Sequence, residues 1–192
     1  MGRWHSANKR FEIWGDPVGD FLNHEMAAAV SAMAGVQVVP TYPWPVEYAE
    51  GGTIGMHVDQ TDNELSLSYS IETIMVEPNI PKKSSGPTQN EKEDAAATAT
   101  GAATAADWPL YFVGTGSKVL QPGEPSPANL DLDPKAVRRA TRSPVVLGEN
   151  DGVLYRGRDM VHWRPPGPPN QRLRQLVFAW RSVHEDACLG SL

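Results

Sequence analysis

Glycine and proline punctuate this chain so often that most of it can only fold as short extended segments. There are 17 of each among 192 residues. Proline removes a backbone donor and glycine weakens the interior of any regular element, so windows for a helix are few. One window survives. Asp20 is placed to cap a run through Phe21, Leu22, Met26, Ala29, Val30 and Met33, whose spacing paints one apolar stripe, and Gly35 stops it. Elsewhere the pattern is that of strands. Residues 36–41 are β-branched and bounded by prolines, and residues 64–71 alternate polar and apolar with period two. Leu110-Tyr111-Phe112-Val113 is a short apolar run, Val153-Leu154-Tyr155 follows a turn signal at 148–152, and residues 174–183 close the series. Short strands between Gly/Pro turns predict a mainly β fold, a sandwich or jelly roll, with the N-terminal helix packed outside it.

The length suits a single domain over residues 1–192, large enough to bury a core without a disulfide or metal staple. Residues 82–106 stand apart from that core. They read KKSSGPTQNEKEDAAATATGAATAA, with no large apolar side chain to offset the entropy of ordering them. The expectation is a disordered low-complexity insert between two strands.

Charge and cysteine content narrow the partners. Seventeen basic against 23 acidic residues leave a net charge of -6, which argues against nucleic acid or an anionic membrane surface as a bulk partner. A lone cysteine, Cys188, excludes an internal disulfide framework and fits a reducing compartment. No stretch is apolar enough for a membrane span, and the polar, aromatic N-terminus does not read as a signal peptide. A cytoplasmic protein is therefore expected. Glycine-rich nucleotide loops and a nucleophile elbow are absent from the sequence, and a Cys188–His184 nucleophile would sit in a tail prone to fraying.

Five histidines offer more: His5, His24, His57, His162 and His184. In His57-Val58-Asp59 an imidazole and a carboxylate stand two residues apart, and on a strand both would project from one face. A third ligand from a distant strand, such as His162, would complete two histidines and one carboxylate. That is the facial set of non-haem Fe(II) sites that keep positions open for a co-substrate and O₂. Spacing alone leaves the alternative standing that His57 is an ordinary histidine beside a solvated Asp59.

Several motifs in a fixed order resemble a known family. Tyr48-Ala49-Glu50-Gly51-Gly52 leading to His57-Val58-Asp59 is similar to the approach to the first iron ligands in prolyl-4-hydroxylase-like 2-oxoglutarate/Fe(II)-dependent oxygenases. Gly152-Val153-Leu154-Tyr155-Arg156-Gly157, followed by His162-Trp163-Arg164, resembles the distal-histidine strand of a bacterial branch of that superfamily. The resemblance spans roughly residues 10 to 185, the insert excepted. It implies a double-stranded β-helix, a distorted jelly roll, with Fe(II) held by His57, Asp59 and His162. It also implies 2-oxoglutarate as co-substrate with O₂, and oxidation of a C–H bond coupled to release of succinate and CO₂.

The distal carboxylate of 2-oxoglutarate then calls for a cation. Arg174 is the expected anchor, because it shares its strand parity with Leu176, Phe178 and Trp180, taken as the inward face. Arg164 competes, being part of the His-Trp-Arg triplet, and Tyr48 is a candidate hydrogen-bond donor to the same carboxylate. Within the family, halogenases replace the carboxylate ligand, so Asp59 favours hydroxylation or a related oxidation such as desaturation or ring closure; the expected substrate is a small molecule, an amino acid or a peptide. The competing expectation is a jelly-roll binding protein that turns over nothing.

Overall fold

The computed structural model describes residues 2–77, 107–113 and 142–183. Residues 82–106, His184 and Cys188 lie outside them. Ten strands and one helix occur among the described residues: β1 (Gly2–His5), β2 (Arg10–Ile13), α1 (Pro17–Ala34), β3 (Val38–Tyr48), β4 (Ile54–His57), β5 (Leu65–Met75), β6 (Leu110–Val113), β7 (Arg142–Val145), β8 (Gly152–Tyr155), β9 (His162–Arg164) and β10 (Gln171–Ser182). They build two antiparallel sheets. The larger runs β1-β2-β3-β10-β5-β8 and the smaller β4-β9-β6-β7. From β3 onward the chain alternates between the two sheets, with β6 and β7 the one consecutive pair, and this winding makes the expected double-stranded β-helix.

The helix starts earlier than the apolar run suggests. Asp16, not Asp20, is its cap: the Asp16 carboxylate accepts from the Gly19 N–H at 2.9 Å, and Pro17 fills a first-turn position where no donor is needed. Gly35 ends the helix as expected, in the left-handed conformation at φ 67°. The buried face follows Leu22, Met26 and Val30, with Asn23 and Ala27 beside them, against Val38, Phe178 and Trp180 of β3 and β10. Phe21 and Met33, assigned to the stripe from the sequence, are 62% and 67% exposed and flank that face. Two polar links lock the docking: Trp180 Nε1 donates to the Asn23 carbonyl at 3.1 Å, and Asn23 Nδ2 donates to the Ala179 carbonyl at 3.4 Å.

Strand β3 runs on through three prolines that seemed to end it. The β2 partner reaches only Val46, so Pro43 and Pro45 lie where β3 has no neighbour on that side to receive a donor. A register irregularity between Phe178 and Trp180 falls opposite Pro40. On β5 the polar half of the alternation is the one that turns inward. Ser66, Ser68 and Ser70 are the buried residues, turned between the sheets, while Leu65, Leu67 and Tyr69 pack toward the helix layer. Small hydroxyl side chains on the inner face leave the space that becomes a cavity. No helix among the described residues is long and apolar enough to cross a membrane.

Candidate metal centre

Strands β4 and β9 pair antiparallel, with His57 directly opposite His162. Their rings sit 4.2 Å apart, centre to centre. Asp59 is not on the strand, as its spacing suggested, but in the turn just after β4. It still reaches the same point: His57 Nε2 and His162 Nε2 each lie 3.5 Å from Asp59 Oδ1, and the three ligand atoms fall within 4.8 Å of one another.

Backbone and side-chain partners aim each group. Nδ1 of His57 lies 2.8 Å from the Gly55 carbonyl, and Nδ1 of His162 lies 2.9 Å from that of Met160. A carbonyl only accepts, so both Nδ1 atoms carry a proton and both Nε2 atoms face inward. Ser66 Oγ donates to Asp59 Oδ2 at 2.5 Å, and the Asp59 N–H donates to the Gly157 carbonyl at 2.9 Å. Oδ1 is thereby left toward the imidazoles. Burial, reinforced by His57, pushes the His162 pKa down to about 4, so this imidazole is neutral at pH 7. Burial acts to raise the Asp59 pKa, but His57, His162 and the Ser66 hydroxyl outweigh it and hold the carboxyl below its ordinary value. Two imidazoles and one carboxylate on one side of a point are a donor set for a divalent metal that leaves the far side open. Beneath them Tyr155, its phenol kept protonated by burial, lies 3.4 Å from both His162 Nε2 and Ser68 Oγ.

The triad opens onto a cavity of about 440 Å³ between the sheets, which Tyr48 and Arg164 also line. Arg164 is 2% exposed. Its Nη1 donates to the Trp108 carbonyl, but Nε and Nη2 are buried with no acceptor among the described residues. Its guanidinium lies 5.9 Å from the Tyr48 ring centre, and Tyr48 meets Trp108 edge-on at 5.9 Å. A buried guanidinium with two unpartnered nitrogens fits the second carboxylate of a dicarboxylic acid.

Arg174 does not meet the site. Its side chain is 47% exposed and bonded to Glu47 at 2.9 Å and Glu72 at 2.7 Å. The expected parity was inverted for a physical reason. Leu176, Phe178 and Trp180 are buried because α1 covers the outer face of the sheet, and Arg174 stands on that same face. The cavity face carries Gln175, Val177 and Ala179 instead. His5 pairs with Glu12 and His24 is exposed, so neither joins the triad. Sequence reasoning missed the role of Ser66, whose one visible signal was the serine alternation in β5, and gave Gly157 no role although it stands in the motif at 152–157.

No family model matches the chain, and no curated protein matches it in sequence. Solved structures do match its fold. The non-haem α-ketoglutarate-dependent epimerase SnoN from nogalamycin biosynthesis superposes with a TM-score of 0.56 at 12% identity, over 95% of this chain and 65% of that one. AviO1 from Streptomyces viridochromogenes Tue57 gives 0.56 at 16% identity, over 95% and 72%. HygX from Streptomyces hygroscopicus, with nickel and 2-oxoglutarate bound, gives 0.52 at 9% identity, over 91% and 70%. The chain thus spans just under two thirds of SnoN. This protein therefore shares its double-stranded β-helix fold with the α-ketoglutarate-dependent SnoN and with HygX, whose structure holds 2-oxoglutarate.

Proposed function

We propose that this protein is an Fe(II)- and 2-oxoglutarate-dependent oxygenase that hydroxylates a C–H bond of a small molecule. One observation carries the reading: a His57–Asp59–His162 donor set shares its cavity with Arg164, a buried cation whose Nε and Nη2 have no partner among the described residues. His57 Nε2, Asp59 Oδ1 and His162 Nε2 would hold the iron, and Arg164 with Tyr48 would receive the distal carboxylate of 2-oxoglutarate. Together, iron, 2-oxoglutarate and O₂ supply the oxidising power for C–H cleavage, with succinate and CO₂ as by-products.

The chain's own contribution is orientation. Ser66 and the backbone at Gly157 keep Asp59 aimed, and the carbonyls of Gly55 and Met160 set the tautomers of both histidines. Tyr155 and the aromatic neighbours of the triad exclude water from one side of it. Crystal structures of SnoN with Fe3+ and α-ketoglutarate and of HygX with nickel and 2-oxoglutarate support the cofactor assignment, and their complexes with nogalamycin RO and hygromycin B support a small-molecule substrate.

Anaerobic titration of the purified protein with Fe(II) and then 2-oxoglutarate tests the proposal. A visible charge-transfer band in the wild type that is lost in Asp59→Ala is the expected result. A folded wild-type sample without the band would make the protein a non-catalytic jelly-roll binding module. Product analysis after turnover then separates hydroxylation from epimerisation, the reaction in SnoN's name.

A further inference from the structure

Beyond the triad the cavity runs on to the β2–β3 end of the larger sheet, where its chemistry changes. Arg10 and Glu12 of β2 line it, beside Tyr48 and Val46 of β3. Glu12 is 3% exposed, accepts from Arg10 Nε at 2.6 Å and lies 2.7 Å from His5 Nε2. Held this way, the Arg10 guanidinium lies over Trp44, 5.0 Å from the ring centre. From the other side β10 brings Gln175, 3% exposed, to the position opposite Val46. Arg10 Nη1, Trp44 Nε1 and Gln175 Nε2 are buried N–H groups with no acceptor among the described residues. Orphaned donors are unfavourable in a closed core, and here the three residues that carry them all line the cavity. Glu12 already balances the Arg10 charge, so what this wall lacks is an acceptor oxygen rather than a counter-ion.

Next to the donors stands an aromatic wall. Trp14, 44% exposed at the cavity edge, lies 5.6 Å from Tyr42 and 6.4 Å from Trp44. An indole left half in water beside a cavity is suited to cover a flat ring.

We propose that this end of the cavity is the substrate subsite and that it takes a planar ring bearing an sp² oxygen, a carboxylate or a carbonyl. The ring lies against Trp14 and Tyr42, and the oxygen accepts from Arg10, Trp44 and Gln175. The assignment rests on the oxygenase reading for its role as substrate site, while its binding chemistry needs no metal.

Benzoate and benzamide carry such an oxygen in charged and neutral form, and benzylamine carries a donor in its place. Ligand-observed NMR titrations of the full chain, with and without anaerobic Fe(II) and 2-oxoglutarate, compare the three. Benzoate or benzamide should bind under both conditions, about tenfold more tightly than benzylamine, and the tighter of the two assigns the acid or the carbonyl. Trp44→Phe keeps a ring and removes the N–H; it should weaken binding about tenfold, as should Arg10→Met. The tryptophan variant decides the matter if Arg10→Met fails to fold with the buried Glu12 left without its arginine. The subsite is overturned if none of the probes binds, if benzylamine binds as tightly as the others, or if Trp44→Phe leaves affinity unchanged. Loss of benzoate binding at saturating 2-oxoglutarate would overturn it too, by giving the donors to the co-substrate. Benzoate binding that survives in a protein without the Fe(II)/2-oxoglutarate band would sustain the subsite while sinking the oxygenase reading.

Discussion

Gly157 lies so close to the Asp59 carboxylate that a Cβ at this position would overlap both Asp59 Oδ2 and Ser66 Oγ. The same residue accepts the Asp59 N–H through its carbonyl at 2.9 Å. The glycine therefore belongs to the site by what it lacks, since any side chain would displace the carboxylate that bridges the two histidines. Gly157→Ala should lower Fe(II) affinity by roughly 10- to 100-fold, the range for disturbed outer partners of a metal ligand. The overpacking should also cost about 1–3 kcal/mol of apo stability. Metal titration beside a urea melt checks both; unchanged Fe(II) affinity would show that Asp59 is aimed by other means.

The two arginines separate cleanly in solution. Arg164→Met should weaken 2-oxoglutarate binding by about 100-fold or more, because it removes a buried charge-assisted donor. Fe(II) binding should survive in the same variant. Arg174→Ala breaks only surface ion pairs with Glu47 and Glu72 and should leave 2-oxoglutarate affinity as it was. Equilibrium binding of 2-oxoglutarate to the Fe(II) form of each variant decides the matter. The reverse ranking would restore Arg174 as the anchor.

Apo stability should fall on the acid side through His162. Its pKa is pushed from 6.5 in the unfolded chain to about 4 in the fold, so between those values the unfolded chain holds a proton that the folded one does not. The stabilisation is complete above pH 6.5 and is lost progressively as pH falls toward 4, by about 3 kcal/mol in total. Urea melts at pH 7.5, 5.5 and 4.5 measure it. In His162→Gln the slope across this window should flatten; a slope that persists would assign it to another group.

Docking of the helix rests on a small polar lock inside an apolar contact. Trp180 is fully buried, and its indole N–H reaches the Asn23 carbonyl across the sheet–helix boundary. Trp180→Phe should cost about 1–3 kcal/mol, from the lost hydrogen bond and the unfilled volume. Because α1 covers the face opposite the cavity, Fe(II) affinity should hold. Thermal melting and metal titration of the one variant test the two halves of the statement.

Much of this protein is written in local chemistry. Gly/Pro spacing forces short strands, and the cap-and-glycine pattern marks the helix to within a few residues. The ordered motifs around His57, Asp59 and His162 name the residues that the structure brings within 4.8 Å. These features depend on neighbours in the chain, where propensity and period-two patterning act. The arginine anchor was different. Arg174 and Arg164 both alternate correctly on their strands, and parity alone cannot tell which face of a sheet a helix will cover. On β10 the helix side is the most hydrophobic, so burial of Phe178 and Trp180 mimics an inward face. Likewise the serines of β5 look like a solvent face until a second sheet closes over them. Burial between layers is a property of how two sheets and a helix pack. Tertiary structure alone therefore decided which polar side chains were shut away with unpartnered atoms, and so which of them have a ligand to meet.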